Sequence, residues 1–299
     1  MGNRLIGCVF AVITLFAQTA SATELVFATL NDNIRKQADR FARLEVYLED
    51  TLSDFGISNV VLEVFRNAED VQAAMNSGAV DFYFDSPLIA AQISAPVGGE
   101  VFLRRWKKGV AEYHSVVFVK QDSPYEELSD LVGARIAMQE PTSTSGFLLP
   151  LAELTANGLP TAELPDRKSE PSAKAVNYVF SGDDDTSALW VIRGHVEAAA
   201  TDNATFEKLQ TAASGQYRSI GVSPTVPRQL LVKRAGLAPE LEAKLADILT
   251  TMHETPEGAE ILYKFNKTTK FERFETPTDA VMAQMLEILD DLATAGAIE

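Results

Sequence analysis

Hydrophobic and polar positions alternate along the chain in a way that is typical of an α/β fold. Residues Leu25–Thr29 form a short apolar run of strand type, and a second such run follows at Val60–Val64. Between them, apolar side chains recur at helical spacing up to about Phe55; they are Ile34, Ala38, Phe41, Leu44, Leu48 and Leu52. Strands that alternate with helices predict a sheet covered by helices, and the sequence has no heptad or short repeat that would favour another architecture.

One pattern of helix, glycine and strand occurs twice, at residues 68–87 and again at 186–203. In each copy a glycine closes the helix, and an aspartate follows the strand; these residues are Gly78 and Gly194, Asp85 and Asp202. Glycine suits the left-handed position that ends a helix, and ligands of open α/β sheets gather at the carboxyl ends of the strands. Two such units predict two similar domains facing a cleft, although a single repetition of this pattern also arises by chance in α/β proteins.

Two further β-type runs, at residues 113–119 and 217–222, are long enough to carry the chain from one domain to the other and back. Two crossings make the first domain discontinuous, because it is then built from both ends of the chain. We therefore expect a first lobe of residues 23–115 and 224–299 and a second lobe of residues 116–223. Helices are predicted at 237–252 and 279–292, where apolar residues again recur at helical spacing.

Residues 1–22 have the pattern of a targeting segment. Arg4 precedes an apolar stretch from Leu5 to Phe16, and Ala20-Ser21-Ala22 provides a small-residue cleavage site. The apolar stretch is shorter than the roughly 20 residues that a membrane-spanning helix needs. We expect cleavage after Ala22, which also removes Cys8, the one cysteine of the chain. An exported protein without cysteine fits the bacterial periplasm, because its core must be stable without disulfides.

The most informative local motif is Thr142-Ser143-Thr144-Ser145-Gly146, which follows a predicted strand at 134–138. An apolar helix comes next, and Pro150 restricts its start to about residues 145–148, because proline is tolerated only in the first turn. Free backbone N–H groups at such a helix start, with neighbouring hydroxyls and the positive end of the helix dipole, form an anion site. Ordinary helix capping is the alternative, but four consecutive hydroxyl residues exceed what one cap needs.

Composition excludes several classes of function. The chain of 299 residues has 26 basic and 42 acidic residues, a net charge of −16 that becomes −17 without Arg4. This charge argues against nucleic acid as a partner, since phosphate backbones require a basic face, whereas a local set of donors still accepts a small anion. The sequence lacks the metalloprotease, Walker and nucleophile-elbow motifs, and it has only three histidines. We expect no catalysis, no metal and no cofactor.

The hydroxyl motif resembles the phosphate/phosphite/phosphonate-binding family of periplasmic solute-binding proteins of ABC importers. Segments at 113–116, 128–133, 180–182 and 194–198 follow in the order expected for that family. The resemblance extends over nearly the whole mature chain. It implies the type II fold, with two α/β lobes joined by two hinge strands and closing on a ligand. It also implies that Ser143, Thr144, Ser145 and Gly146 hold the oxyanion.

The chain departs from that family at three places, and one of them is the loop Asn31-Asp32-Asn33 after the first strand. Members usually carry a histidine after the segment at 180–182, whereas this chain has Asp183-Asp184-Asp185, and the tyrosine usual after the first-lobe proline is replaced by Leu88. The three aspartates either form a solvated turn whose last member caps the next helix, or place one carboxylate in the cleft. With Asp85 or Asp202, a cleft aspartate such as Asp184 would suit a zwitterion, for example an aminoalkylphosphonate.

The sequence thus predicts a periplasmic protein that captures a small oxyanion-bearing or zwitterionic solute for an ABC permease in the inner membrane. Tyr83, Trp190 and Arg228 are weaker candidates for the lining of the cleft. The alternative is a sensor that reports the same closed form to a membrane histidine kinase without transport. A monomer is the expected state.

Overall fold

The computed structural model describes residues 23–212 and 215–298, so the predicted targeting segment lies outside the described residues. The strands are β1 (Thr23–Leu30), β2 (Ile57–Phe65), β3 (Phe82–Asp85), β4 (Glu100–Lys107), β5 (Glu112–Tyr113), β6 (Ser115–Lys120), β7 (Arg135–Met138), β8 (Thr161–Glu163), β9 (Val176–Phe180), β10 (Ala198–Asp202), β11 (Tyr217–Val222), β12 (Val226–Pro227), β13 (Leu230–Lys233) and β14 (Thr268–Glu272). The α-helices are α1 (Ile34–Leu52), α2 (Ala68–Ser77), α3 (Pro87–Ser94), α4 (Leu149–Ala156), α5 (Asp184–Ile192), α6 (Asn203–Ala212), α7 (Pro239–Thr251), α8 (Pro256–Lys264) and α9 (Thr278–Thr294).

Two six-stranded mixed sheets organise the chain. The first has the order β14-β4-β13-β3-β1-β2, and the second has the order β11-β6-β10-β7-β9-β8. Strands of the first sheet come from both ends of the chain, whereas the second sheet is built only from its middle. The short pair β5 and β12, with Tyr113 opposite Val226, lies where the chain crosses between them. This is the two-lobe fold with two hinge strands that was expected, while residues 115 and 224 remain our proposed lobe boundaries.

Alternation along β3 explains how the first sheet packs on both faces. Phe82 and Phe84 point to one face, where they meet Phe27, Phe41 and helices α1 and α8. Tyr83 points to the opposite face, into a second apolar cluster. Because successive side chains of a strand alternate, one short strand contributes to both halves of the core.

The second apolar cluster continues from one lobe to the other. Helix α9, near the carboxyl end of the chain, packs on α3 and β4 of the first sheet and also on α4, which belongs to the second. A cavity of about 430 Å³ lies between α4 and α9, with Leu149 and Ile288 on its walls. The two lobes therefore share apolar contacts behind the hinge. Among the described residues, no helix has the length and apolar character needed to cross a membrane.

Two predicted strands begin later than the sequence pattern indicated. The strand expected at 79–84 is β3, which starts at Phe82, because the N–H groups of Ala79 and Val80 donate to the Ala74 carbonyl and close α2. The strand expected at 195–200 is β10, which starts at Ala198, because His195 donates to Trp190 and closes α5 in the same way. In both copies the helix ending uses residues that the apolar pattern had assigned to the strand.

Candidate functional site

The carboxyl ends of parallel strands place several polar groups at one edge of each sheet. In the first sheet β1, β3 and β4 run in one direction and β13 runs against them, so Asp85, Lys107 and Arg228 lie at the same edge. In the second sheet β7, β9 and β10 are parallel, so the loops after Met138, Phe180 and Asp202 share an edge. The hinge strands join the lobes beside these edges.

Ser143 caps the helical segment Thr144–Leu148, which has π-helical geometry and leads into α4. Its Oγ accepts the Gly146 N–H at 3.0 Å and donates to Gln139 Oε1 at 2.7 Å. The Ser143 hydroxyl has a single proton, and it already donates that proton to Gln139 in a hydrogen bond. This hydrogen bond competes with the expected role of Ser143 in oxyanion binding. Ser143 forms and positions the helix start, as helix caps do.

Position 146 has no room for a side chain, so glycine is required there. A Cβ at this position would lie 2.5 Å from the Gln139 Cβ and 2.9 Å from the Ser143 Oγ. Its N–H is also used within the protein, as the donor to Ser143. Gly146 thus lets Gln139, Ser143 and the helix start pack together, and its own amide is already used as a donor to Ser143.

Thr144 and Ser145 provide the free donors of this motif. Within the described residues, neither backbone N–H has a protein partner, as is normal for the first positions of a helix. The Thr144 Oγ1 is buried without a hydrogen-bond partner in that same part of the chain. Ser145 is held in place because its carbonyl accepts the Ser115 hydroxyl at 2.7 Å. An oxyanion at this point would receive two amide N–H groups, a hydroxyl and the positive end of the helix dipole.

Tyr113, on hinge strand β5, connects this helix start to the first lobe. The guanidinium of Arg228 lies 4.3 Å from the centre of its ring, within cation–π range. Burial raises the pKa of Tyr113 to about 12, while Arg228 and the adjacent Thr144 side chain partly oppose the shift. The Thr144 hydroxyl therefore lies beside the Tyr113 hydroxyl without a hydrogen bond of good geometry. One tyrosine side chain spans the space between Arg228 and the free donors.

Three cations gather on the first lobe beside Tyr113: Arg105, Lys107 and Arg228, which we call the cation cluster. Arg105 is only 3% exposed and lies over the Phe84 and Phe265 rings. Burial, then Arg228, lower its pKa to about 9, so it keeps its charge at neutral pH. Burial, followed by Arg105 and Arg228, lowers the pKa of Lys107 to about 7.

Asp85 is the acidic neighbour of the cation cluster. Its carboxylate accepts the Tyr83 hydroxyl at 2.8 Å and the Ser86 N–H at 2.6 Å. Burial raises the pKa of Asp85, while those hydrogen bonds and then Lys107 oppose the shift. Tyr83 itself is fully buried, and its hydroxyl orients Asp85. Its predicted place on the cleft wall stays a prediction.

The structure separates the roles of the three consecutive aspartates. Asp183 caps α5, since its carboxylate accepts both the N–H and the hydroxyl of Thr186 at 2.8 and 2.7 Å. The expectation that the last aspartate caps this helix is therefore wrong. Asp184 turns inward and accepts the Thr201 hydroxyl at 2.8 Å, and burial raises its pKa.

Asp202 is engaged as a helix cap. Its two carboxylate oxygens accept the Thr205 N–H at 3.2 Å and the Thr205 hydroxyl at 2.8 Å. Its charge still reaches the site, because it helps to raise the pKa of Asp184 and that of Tyr113. Within residues 23–212 and 215–298, no group of three His, Cys, Asp or Glu side chains is arranged to hold a metal ion.

Sequence reasoning located the hydroxyl motif and Asp85, but it missed most of the cation cluster and Tyr113. Of the predicted set, Asp85 and Asp184 both lie near Glu140, and Thr144 lies beside Tyr113. That these residues line one cleft with Ser145 stays a prediction. Arg228 had been considered, whereas Arg105 and Lys107 had been assigned no role. Their signal was present as basic residues beside apolar ones in the β-type run at 100–107, where burial of a charge demands a compensating partner.

Comparisons with known proteins agree with this geometry. A family model described as "ABC transporter, phosphonate, periplasmic substrate-binding protein" matches residues 28–281. The phosphonates-binding periplasmic protein of Escherichia coli strain K12 is 28% identical over 196 residues, which are 63% of this chain and 55% of that protein. The phosphate-import protein PhnD of Mycolicibacterium smegmatis is 26% identical over 186 residues, 58% of this chain and 56% of that protein. The chain thus spans about half the length of these curated relatives.

Solved structures share the fold over nearly the whole chain. XAC2383 from Xanthomonas citri, solved bound to ATP, has a TM-score of 0.81 at 22% identity and covers 93% of this chain and 99% of its own. PhnD1 from Prochlorococcus marinus, solved in complex with methylphosphonate, has a TM-score of 0.63 at 16% identity and covers 91% of this chain and 100% of its own. At these identities the likeness establishes the two-lobe architecture.

Proposed function

Since the chain belongs to the family of periplasmic substrate-binding proteins of phosphonate ABC transporters, we propose that its cleft captures a small solute carrying a phosphonate, phosphite or phosphate oxyanion. The observation that supports this most is the helix start at Thr144 and Ser145. It offers two free amide N–H groups and a buried hydroxyl without a partner, and no protein group in the described chain uses them.

Capture follows from the placement of donors on both lobes. The free donors belong to the second lobe, and the cation cluster belongs to the first, so a ligand in contact with both favours the closed arrangement. The closed form then docks on the permease of an ABC importer in the inner membrane. The family match supports transport, and nothing in the comparisons supports the sensor alternative.

Export is part of the same proposal. The family is periplasmic, and the sequence of residues 1–22 has the pattern of a cleaved leader that ends at Ala22. Amino-terminal sequencing of the protein from a periplasmic extract should therefore begin at Thr23. We propose that this mature form acts as a monomer.

Isothermal titration of the chain from Thr23 against phosphate, phosphite, methylphosphonate and 2-aminoethylphosphonate tests the binding proposal. We expect micromolar or tighter binding of at least one of them, weakened at least about tenfold in Thr144→Val, which removes the unpartnered hydroxyl and keeps its shape. Thr155→Val, in the following helix α4 and away from the helix start, is the matched control. A folded protein that binds none of the four ligands would contradict the proposed function.

A further inference from the structure

The cation cluster lacks the partners that buried charges normally have. In the described chain, no carboxylate lies within salt-bridge distance of Arg105, Lys107 or Arg228, although eight other ion pairs form there. Arg105 uses its terminal nitrogens on the neutral acceptors Thr268 Oγ1, at 3.0 Å, and Gln229 Oε1. Its Nε is buried with no hydrogen-bond partner. An unpaired buried cation beside two others is unfavourable unless something else supplies negative charge.

Neighbouring basic residues show that pairing is the rule elsewhere on the same sheet. Arg104, next to Arg105 on β4, binds both Glu112 and Glu272. Lys233, on β13 with its side chain largely covered, binds Glu100 and Glu242. Only at the cleft edge are the cations of these two strands left without a carboxylate partner in the described chain. On these two strands, the basic residues without an acidic partner are therefore those at the edge of the first sheet where the ligand is proposed to bind.

Three acidic side chains near the cleft already accept hydrogen bonds within the protein. Asp85 accepts two hydrogen bonds, Asp184 accepts one from Thr201, and Asp202 accepts two from Thr205. One carboxylate, that of Asp85, faces the three cations closely enough to affect the pKa values of Arg105 and Lys107. The first-lobe side of the cleft thus retains an excess of positive charge.

The cation cluster and the free donors are separated by one side chain. Arg228 stacks on the Tyr113 ring at 4.3 Å, and the hydroxyl end of that ring lies beside Thr144. A ligand with its oxyanion on Thr144 and Ser145 and its body along the Tyr113 ring would have its far end directed toward Arg228, the member of the cation cluster that contacts this ring.

From this juxtaposition, and resting on the function proposed above, we propose that the solute carries a second anionic group, a carboxylate or a further phosphate, which the cation cluster of the first lobe binds. The substrate class is then a phosphonocarboxylate or a related phosphate compound with two separate anionic groups. Lys107 and Arg228 determine specificity for that second group. Arg105 lies beneath them and adds its positive charge to the electrostatic potential at this subsite.

Three ligands of similar size test this proposal by titration calorimetry at pH 7: methylphosphonate, phosphonoacetate and 2-aminoethylphosphonate. They carry the same oxyanion with a neutral, an anionic and a cationic far end. The wild-type chain should bind phosphonoacetate at least about tenfold more tightly than methylphosphonate, because only the former reaches both subsites. Arg228→Gln should reduce that ratio to below about threefold, and Lys107→Met should reduce it as well.

Arg193→Gln is the matched control, since it removes one exposed arginine at the far end of α5 and should keep the wild-type ratio. Equal affinities for phosphonoacetate and methylphosphonate would overturn the second subsite, and so would tighter binding of 2-aminoethylphosphonate. Either result leaves the oxyanion site intact. A chain that binds phosphate or phosphite but none of the three would also overturn the second subsite, whereas a chain that binds none of these five ligands would overturn the proposed function itself. Circular dichroism of each variant identifies a loss of binding that comes from unfolding.

Discussion

Lys107 carries a charge that the ligand-free fold disfavours. Burial is the main cause of its lowered pKa of about 7; Arg105, Arg228 and Lys108 add to the shift, and Asp85 opposes it. Below pH 7 the folded and unfolded chains both hold the proton, so the folded state bears the full cost of the charge. Between pH 7 and the ordinary lysine pKa of 10.5 only the unfolded chain holds it, and this contribution to stability therefore rises with pH.

Replacing Lys107 by methionine should therefore stabilise the protein without ligand while it weakens anion binding. We expect Lys107→Met to raise the melting temperature by a few degrees at pH 6, with a gain that shrinks by pH 9. Thermal unfolding of both proteins across that range is the measurement, with exposed Lys174→Met as the control that should show no such pH trend. A destabilised Lys107→Met at pH 6 would argue that the charge is satisfied inside the fold.

The helix that starts at Thr144 depends on the absence of one side chain. The space around Gly146 is filled by Gln139 and Ser143, and the Gln139 N–H donates to the Gly146 carbonyl at 2.9 Å. The strand β7 and the helix start are thereby locked together at the second-lobe wall of the cleft. A displaced Gln139 would move the Ser143 cap and, with it, the amides of Thr144 and Ser145.

Gly146→Ala should lower both stability and affinity. The expected loss of stability is about 1–3 kcal/mol, as is usual for overpacking, and the affinity for the best ligand of the panel should fall at least about tenfold. Gly99→Ala is the matched control, because its Cβ would lie 2.6 Å from the Ser94 Cβ, in the first lobe and away from the cleft. Chemical denaturation and calorimetry of both variants should show similar destabilisation but a loss of affinity only for Gly146→Ala.

Elements that depend on local patterns could be predicted from the sequence, whereas elements of the site that depend on long-range pairing could not. Helix α1 and strands β1 and β2 follow directly from apolar spacing, and the hydroxyl motif follows from Pro150 and its neighbours. Arg105 and Arg228 are more than a hundred residues apart, and only the pairing of β4 with β13 brings them together. No local pattern contains that information.

The roles of the aspartates show a second limit of sequence reasoning. Asp183 and Asp184 are adjacent, yet one caps α5 and the other accepts a hydrogen bond from Thr201 on β10. The assignment depends on a shift of one or two residues in the start of the helix, because each residue turns the side chain by about 100°. Composition and spacing define helix starts less sharply than that.

The two lobes as a whole bring carboxylates together at the rim of the cleft. Partial burial, then Asp32 and Asp85 from the first lobe, and finally Asp184, raise the pKa of Glu140 in the second lobe. Like charges across the cleft oppose closure when Glu140 is ionised. Because its pKa is raised, acidification protonates Glu140 earlier than an isolated glutamate, and the closed form with an anion should then be favoured.

Glu140→Gln should tighten the binding of methylphosphonate about two- to tenfold at pH 7 and reduce the gain in affinity between pH 7 and pH 5. Calorimetry at the two pH values measures both effects. Exposed Glu170→Gln is the control, since the titration of the ligand itself contributes equally to both variants. Weaker binding by Glu140→Gln would mean that this carboxylate contacts the ligand, as a solute with an ammonium group would require.

The proposed function depends on the binding of an oxyanion to the free amides of Thr144 and Ser145. The most direct measurement is the amide spectrum of the ¹⁵N-labelled protein from Thr23 during titration with methylphosphonate. The Thr144 and Ser145 amide protons should shift downfield and saturate together, while the Gly146 amide, which already donates to Ser143, should move less. If both amide signals stay unshifted when the protein is saturated with methylphosphonate, the oxyanion binds elsewhere and the proposed site at Thr144 and Ser145 is wrong.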